Sequence, residues 1–345
     1  MNTIEMLMPE EWESLISAQE LNELYPLTQR AIDTVLKWRE EFGEVFTWKV
    51  NKIIMFGGPC GSRLDKKNGR YSLDIIAEKL WIIREKVRDL ILLWQRVNWE
   101  KPRTTDGYRW IAIDWPYNGF LAKRRNTINE NLKNIWRIYS EILDKYQVPM
   151  VSEFLSPNIA KSLSPLVSFG WTWARNCEAQ INRELLNLLL KLPFGIKHTR
   201  DGNIENAINT LKAIFKLRWN TEIWWELKWN EKWHIILRWS EKWPNFSPKH
   251  IREVMNQLEA NDQLNFKIWI DTNHKQSWFD PTKQPNIVKE VCKNPNVSFT
   301  LSEVDLFEGM CPKWTFGYSA TDKCMSIERF LTLIEEVYEI RSKLF

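Results

Sequence analysis

Glycine is scarce in this chain, whereas tryptophan is unusually abundant. The 345 residues include 12 glycines and 21 tryptophans, although glycine makes up about 7% of an average protein. Few positions can therefore bring bare backbone close to a ligand, since glycine is the residue that permits such an approach. Several tryptophans stand where a binding site would need a residue without a side chain, as described below.

Paired cysteines, long apolar runs and a strong net charge are also lacking. The five cysteines are scattered and form no CxxC pair, which argues against a disulfide framework and favours a reducing cytoplasm. No apolar run approaches membrane-spanning length, and the N-terminus is acidic where a signal peptide needs a basic start. A net charge of +4 is too small to imply binding to nucleic acid or to a membrane surface. We therefore expect a soluble, unprocessed cytoplasmic protein.

One stretch resembles a stacking platform for a single-stranded nucleic acid or a sugar. Aromatic and basic residues alternate from Lys228 to His234, and aromatic rings with cations bind such ligands. Glutamates interrupt the stretch, and the net charge of the chain is low. We therefore predict no nucleic-acid partner.

The glycine-rich phosphate loop of an open doubly wound sheet is missing too. The run GGPCG at residues 57–61 has neither the GxGxxG nor the GxxxxGK[ST] spacing. Short apolar runs instead alternate with amphipathic helical segments from Lys52 onward, which predicts a parallel sheet, and eight repeats predict a closed (β/α)8 TIM barrel. The expected domains are a helical N-terminal extension at 1–50, a possible regulatory or oligomerisation arm, and a barrel at 51–345. The predicted strands are 53–56, 90–94, 149–155, 166–171, 194–197, 234–238, 266–271 and 297–302.

Residues with charge or metal affinity follow these strands. In a parallel barrel the C-terminal strand ends share one face, where active sites are built. One group, with thiolate, imidazole and carboxylate ligands, suits a divalent transition metal: Cys60, His274, Glu308 and Asp322. A second group forms a cationic collar suited to phosphate or carboxylate oxygens: Arg96, Lys101, Arg175, Lys197 and Arg238. Each residue alone is more often structural, but their joint placement favours a site.

The chain contains, in this order, the segments GGPCG, RVNWEKPRTTDGY, SEFL, SFGWTWAR, FGIKHTRDG, HIILRW, DTNH, LFEG and SATDKC. With these segments it resembles a known family, the class I 3-deoxy-7-phosphoheptulonate synthases, which begin the shikimate pathway to the aromatic amino acids. The resemblance covers roughly residues 9–345. The most specific motif is Lys101-Pro102-Arg103-Thr104, which holds erythrose 4-phosphate in this family. The resemblance places the metal group above on the family's four ligand positions and the collar on its phosphoenolpyruvate-binding positions.

The implied reaction is a metal-dependent, aldol-type condensation of phosphoenolpyruvate with erythrose 4-phosphate that releases phosphate. The divalent metal, which could be Mn, Fe, Co or Zn, would polarise the aldehyde as a Lewis acid. Lys101 is the candidate proton donor, and Lys197 is the alternative. A thiolate ligand such as Cys60 predicts loss of activity in air. The family also implies a homodimer or homotetramer.

Four tryptophans depart from the family pattern, because they occupy glycine positions: Trp110, Trp173, Trp229 and Trp239. His198 and Thr199 replace Asn-Gly after Lys197. An indole would fill space that the backbone must leave open for the substrate. Three hypotheses remain open: UGA codons that the source organism reads as glycine, a catalytically silent ligand-binding or regulatory barrel, and a repacked site with full activity.

Overall fold

Eight parallel strands form a closed barrel in the computed structural model. The structure describes residues 15–46, 51–60, 66–99, 124–172, 179, 192–199, 201–210, 233–239, 244–260, 267–311, 315–319 and 321–344. The strands are β1 Ile53–Gly58, β2 Ile91–Val97, β3 Met150–Phe154, β4 Phe169–Thr172, β5 Phe194–Lys197, β6 Trp233–Leu237, β7 Ile268–Asp271 and β8 Val297–Asp305. Each strand pairs in parallel with the next, and β1 also pairs with β8, which closes the sheet. A two-residue strand, Met325–Ser326, pairs with the end of β8.

The helices that the structure describes are α1 Ala18–Leu24, α2 Gln29–Phe46, α3 Ser72–Val87, α4 Arg124–Tyr146, α5 Pro157–Leu163, α6 Pro248–Glu259, α7 Gln284–Val291 and α8 Ile327–Ser342. Local sequence explains their starts. Ser17 and Glu20 form a capping box on α1, and the side chains of Ser247 and Ser326 accept from backbone N–H groups at the starts of α6 and α8. Within the described residues, no helix is long and apolar enough to cross a membrane.

The strands have two apolar faces, as expected for a sheet that is covered by helices outside and closed on itself inside. Odd-numbered β2 residues such as Ile91 and Leu93 belong to the core shared with the helices. Even-numbered residues, Leu92 and Trp94, point into the barrel. There the packing is mostly aromatic, and the rings of Phe56, Trp94, Phe169, Trp171, Trp269 and Phe299 contact one another. These side chains fill the interior of the barrel as a packed apolar core.

Helix α2 closes the N-terminal end of the barrel, which we call the floor. Trp38 and Val45 belong to the interior cluster, and the Trp38 ring packs edge-on against Trp94 at 6.2 Å between centroids. The Arg39 guanidinium donates to the carbonyls of Ser164 and Val167, which lie just before β4. Helix α2 is therefore packed against the floor of the barrel. The regulatory or oligomerisation role of the N-terminal extension stays a prediction.

The predicted (β/α)8 barrel is confirmed. The predicted strands overlap the observed ones, with one difference that matters for the site. Strand β8 was expected to end at Ser302 but continues to Asp305, which places Glu303 inside the strand.

Candidate active site

Charged side chains occupy the last inward position of most strands. Alternation along β2 places Arg96 on the same side as Leu92 and Trp94. In the same way, Asp271 lies on the inward side of β7 with Trp269, and Glu303 lies on the inward side of β8 with Leu301. The resulting set, which we call the charged ring, comprises Arg96, Glu153, Lys197, Arg238, Asp271 and Glu303, all at most 5% exposed. Charges are rarely buried unless they are paired, so the ring marks the C-terminal face as a site.

The ion pair between Arg96 and Glu303 connects β2 to β8 across β1, inside the barrel. Arg96 Nη1 lies 3.0 Å from Glu303 Oε1, and both side chains are essentially inaccessible. Burial lowers the pKa of Arg96, but the negative charges of Glu303 and Glu153 outweigh this effect and raise the pKa above its ordinary value. The Arg96 guanidinium thus stays charged in the interior.

Lys197 lies between two carboxylates. Its Nζ is 3.1 Å from Asp271 Oδ2 and 3.5 Å from Glu153 Oε1. Although burial raises the pKa of Asp271, attraction to Lys197 holds that pKa well below its usual range. The face of Trp171 lies 5.6 Å from Lys197 Nζ, which adds a cation–π contact. The lysine is thereby fixed as a buried cation at the mouth of the barrel.

A thiol and two carboxylates meet beside the charged ring. One ligand atom from each of Cys60, Glu303 and Asp322 lies within 4.8 Å of the others. Cys60 Sγ donates to Asp322 Oδ2 at 2.7 Å, and Asn98 Nδ2 donates to the Cys60 carbonyl at 2.7 Å. A buried sulfur with two carboxylate oxygens suits a borderline-soft divalent metal such as zinc or iron. These residues fit a metal centre.

Glu308, predicted as a ligand, does not join this group; Glu303 does. The Glu308 carboxylate is partly exposed and pairs with Arg329 Nε at 2.7 Å. The predicted β8 ended at Ser302, so the metal ligand was expected in the loop that follows the strand. Continuing the inward period from Phe299 and Leu301 by one step would have found Glu303.

His274 lies close to the site but outside the three-residue group. It is buried, and its Nδ1 lies 3.5 Å from Asp271 Oδ2. Burial lowers its pKa, partly offset by Asp271, so the ring favours the neutral form that binds metals. Its φ of 56° is in the left-handed region, where strain often accompanies function. The neighbouring Asn273 amide donates to Glu303.

Several predicted residues lie outside the described part of the chain: Lys101, Pro102, Arg103, Thr104, Arg175, Trp110, Trp173 and Trp229. Of the four tryptophans that the family resemblance places at glycine positions, the structure describes Trp239. Its φ is 146°, a backbone conformation that favours glycine. The indole is buried, and its ring lies 5.2 Å from the Arg238 guanidinium.

Known proteins match this chain along nearly its whole length. It is 28% identical over 352 residues to the Phe-sensitive phospho-2-dehydro-3-deoxyheptonate aldolase of Escherichia coli K12, covering 95% of this chain and 94% of the relative. It is 27% identical over 339 residues to the Trp-sensitive aldolase of Buchnera aphidicola from Acyrthosiphon pisum, covering 94% of each.

A solved structure agrees with the sequence comparison. The phospho-2-dehydro-3-deoxyheptonate aldolase of Francisella tularensis SCHU S4 superposes with a TM-score of 0.82 and 26% identity, covering 96% of this chain and 98% of that one. The sequence profile of the DAHP synthetase I family matches residues 31–297, more than half of the chain. On these grounds the chain belongs to the DAHP synthetase I family.

Proposed function

We propose that this chain is a 3-deoxy-7-phosphoheptulonate synthase that condenses phosphoenolpyruvate with erythrose 4-phosphate and releases phosphate, the entry reaction of aromatic amino acid biosynthesis. Family membership and the whole-length similarity to phospho-2-dehydro-3-deoxyheptonate aldolases support the activity. The observation that carries the proposal is the charged ring, which buries three cations at the mouth of the barrel.

The cations of the ring suit phosphoenolpyruvate. This substrate carries a carboxylate and a phosphate, so its binding in a buried site requires several directed donors. Arg96 and Arg238 offer guanidinium groups, and Lys197 offers an ammonium. Arg175 and Lys101 complete this set in our proposal, and the Lys101–Thr104 segment binds erythrose 4-phosphate.

The carboxylates Glu153, Asp271 and Glu303 hold Arg96 and Lys197 in place before substrate arrives. Because the ring is already charge-balanced, an arriving anion exchanges partners with Glu153 or Asp271 instead of meeting disordered cations. Such preorganisation lowers the cost of orienting the donors during the reaction.

A divalent metal would be held by Cys60, Glu303 and Asp322, with His274 as the predicted fourth ligand. When bound, it supplies Lewis-acid polarisation of the aldehyde oxygen; we propose Mn, Fe, Co or Zn. The methylene carbon of phosphoenolpyruvate, C3, forms the new bond to the aldehyde carbon. Water adds at C2, the carbon that carried the phosphate, and inorganic phosphate leaves. Lys101 delivers the proton to the new hydroxyl in our proposal, and Lys197 is the alternative donor.

Two broader assignments belong to the same proposal. The scattered cysteines, which form no CxxC pair, suit a reducing compartment, so we include a cytoplasmic location in the proposal. A homodimer or homotetramer follows from the family resemblance.

The test is phosphate release from phosphoenolpyruvate, with and without erythrose 4-phosphate and with and without chelator. The chain as written is compared with a variant in which Trp110, Trp173, Trp229 and Trp239 are changed to glycine. We expect release that requires both substrates and is abolished by chelator. Turnover by the glycine variant alone would support the hypothesis that these four positions are UGA codons that the source organism reads as glycine. Turnover by the chain that carries the four tryptophans would show that the tryptophans are tolerated.

The alternative is a catalytically silent ligand-binding barrel of the same family. The observation that favours it is the buried Trp239 indole beside the Arg238 guanidinium, since an indole there takes space that a substrate would use. If both chains fold and neither consumes phosphoenolpyruvate, the synthase proposal is wrong and the silent barrel replaces it.

The metal assignment has a matched pair of variants. Glu303→Gln removes a carboxylate from the Cys60–Asp322 group, whereas Glu308→Gln removes one that pairs with Arg329 on the surface. We expect Glu303→Gln to weaken Mn²⁺ or Zn²⁺ binding, measured by calorimetry, by more than about tenfold, and Glu308→Gln to leave it unchanged. Equal weakening in both variants would contradict the assignment.

A further inference from the structure

His198 follows Lys197 at the C-terminal end of β5 and is one of the residues that depart from the family pattern. Its ring is fully buried, next to a proposed phosphoenolpyruvate ligand in sequence and next to another, Arg238, in space. No step of the proposed reaction uses this imidazole. Its surroundings therefore need an explanation of their own.

Two hydrogen bonds fix the protonation state of the His198 ring. Nδ1 lies 2.7 Å from the Thr199 carbonyl oxygen, which can only accept, so Nδ1 carries the hydrogen. Nε2 lies 3.1 Å from the Arg238 backbone nitrogen, which can only donate, so Nε2 keeps its lone pair. The ring is therefore the neutral tautomer with the proton on Nδ1.

The same imidazole connects three strand ends. Asn245 Nδ2 donates to His198 Nε2 at 3.1 Å. Asn245 in turn exchanges two hydrogen bonds with Gln276, at 2.6 and 2.9 Å. Gln276 lies two residues beyond His274, in the segment after β7. His198 thus connects the ends of β5 and β6 to the segment that carries the proposed metal ligand His274.

The backbone at the end of β6 needs such support. Arg238 directly precedes Trp239, whose φ of 146° is unfavourable for a residue with a side chain. The Arg238 amide is held by His198 immediately before that residue. Fixing this amide fixes the direction in which the Arg238 side chain leaves the strand.

We propose that His198 is a positioning residue for phosphoenolpyruvate binding: its Nε2 accepts from the Arg238 backbone and orients the Arg238 guanidinium toward the substrate. The inference rests on the proposed function and deepens it. A protonated ring would lose this acceptor and place a cation beside Arg238.

The charges around His198 keep the ring neutral. Burial lowers the pKa of His198 to about 4; the Thr199 carbonyl and the carboxylates of Asp201 and Asp271 act in the opposite direction, and Arg238 adds to the lowering. The acceptor is therefore present throughout the neutral pH range. Phosphoenolpyruvate affinity should show no titration of His198 between pH 6 and pH 8.

The first experiment measures phosphoenolpyruvate binding by calorimetry. Leucine at 198 removes the acceptor, whereas glutamine offers an oxygen near the position of Nε2. We expect His198→Leu to weaken binding about tenfold, as for the loss of one buried hydrogen bond, and His198→Gln to restore most of it. His250→Leu is the control, because the His250 ring pairs with Ser247 at the start of α6, and it should bind normally.

The second experiment is independent of substrate. The chain has four histidines, so long-range ¹H–¹⁵N spectra of histidine-labelled protein can resolve each ring. We expect a protonated Nδ1 and an unprotonated Nε2 for His198, and slow exchange of the Arg238 amide hydrogen that becomes fast in His198→Leu. The other tautomer, or unchanged amide exchange, would overturn the inference.

The two proposals fail in different ways. Wild-type protein that does not bind phosphoenolpyruvate would contradict the proposed function, whatever the histidine spectra show. If His198→Leu binds phosphoenolpyruvate as tightly as the wild type does, the proposed function is unaffected and the role of His198 is refuted.

Discussion

The two ends of the barrel each bury a lysine, but the charged groups beside the two lysines are opposite in sign. At the mouth, Lys197 lies 3.1 and 3.5 Å from the carboxylates of Asp271 and Glu153. At the floor, Lys267 precedes β7 and is 4% exposed. Burial, with repulsion from Arg341, lowers its pKa to about 8. Burial alone therefore does not identify a functional cation. The carboxylates that pair with Lys197 distinguish the mouth from the floor.

The largest expected effect is at the mouth. Lys197→Met removes a cation that we propose binds phosphoenolpyruvate, and it leaves Asp271 and Glu153 buried without their lysine partner. We expect phosphate release to fall by at least about 100-fold and the free energy of unfolding to fall by about 3–5 kcal/mol. Steady-state assays and urea unfolding measure the two quantities. Activity within tenfold of wild type would contradict the role given to Lys197.

The floor should respond differently to a large substitution. Trp38→Ala opens a cavity between α2 and Trp94, and such changes cost about 3–5 kcal/mol of unfolding free energy. Because the cavity lies on the side of the aromatic core away from the charged ring, we expect KM for phosphoenolpyruvate to stay unchanged at a temperature where the variant is folded. A raised KM would show that the two ends are coupled.

The smallest effect has the opposite sign. Lys267→Met removes a cation that burial disfavours, so we expect a gain in stability on the order of 1–3 kcal/mol at pH 7. In the wild type, the folded pKa of about 8 lies below the unfolded value near 10.4. The unfolded chain then binds more protons, and stability should rise with pH between these values. Urea unfolding of both proteins at pH 7 and pH 10 checks this; equal stability at both pH values in the wild type would contradict it.

Much of this comparison could be predicted from sequence. Apolar runs of strand length and intervening amphipathic helices were enough for the barrel, and placing Arg96, Lys197 and Arg238 at strand ends needed only strand alternation. Glu303 was missed because an apolar pattern does not show where a strand stops when its last inward residue is charged. Likewise, the periodicity of α2 gives it a buried face but does not say that Trp38 closes the floor. The ion pairs of the mouth join residues far apart in sequence, so their partners could not be chosen from composition or spacing.

The thiol of Cys60 meets the carboxylate of Asp322 across 262 positions of the chain. A nascent polypeptide whose Asp322 is still inside the ribosome has therefore released the thiol but not its partner. The proposed metal centre can assemble only after Asp322 has left the ribosome and has come together with Cys60. Its formation would report completed folding, and a chain truncated before Asp322 would lack a complete site even if most of its strands were made.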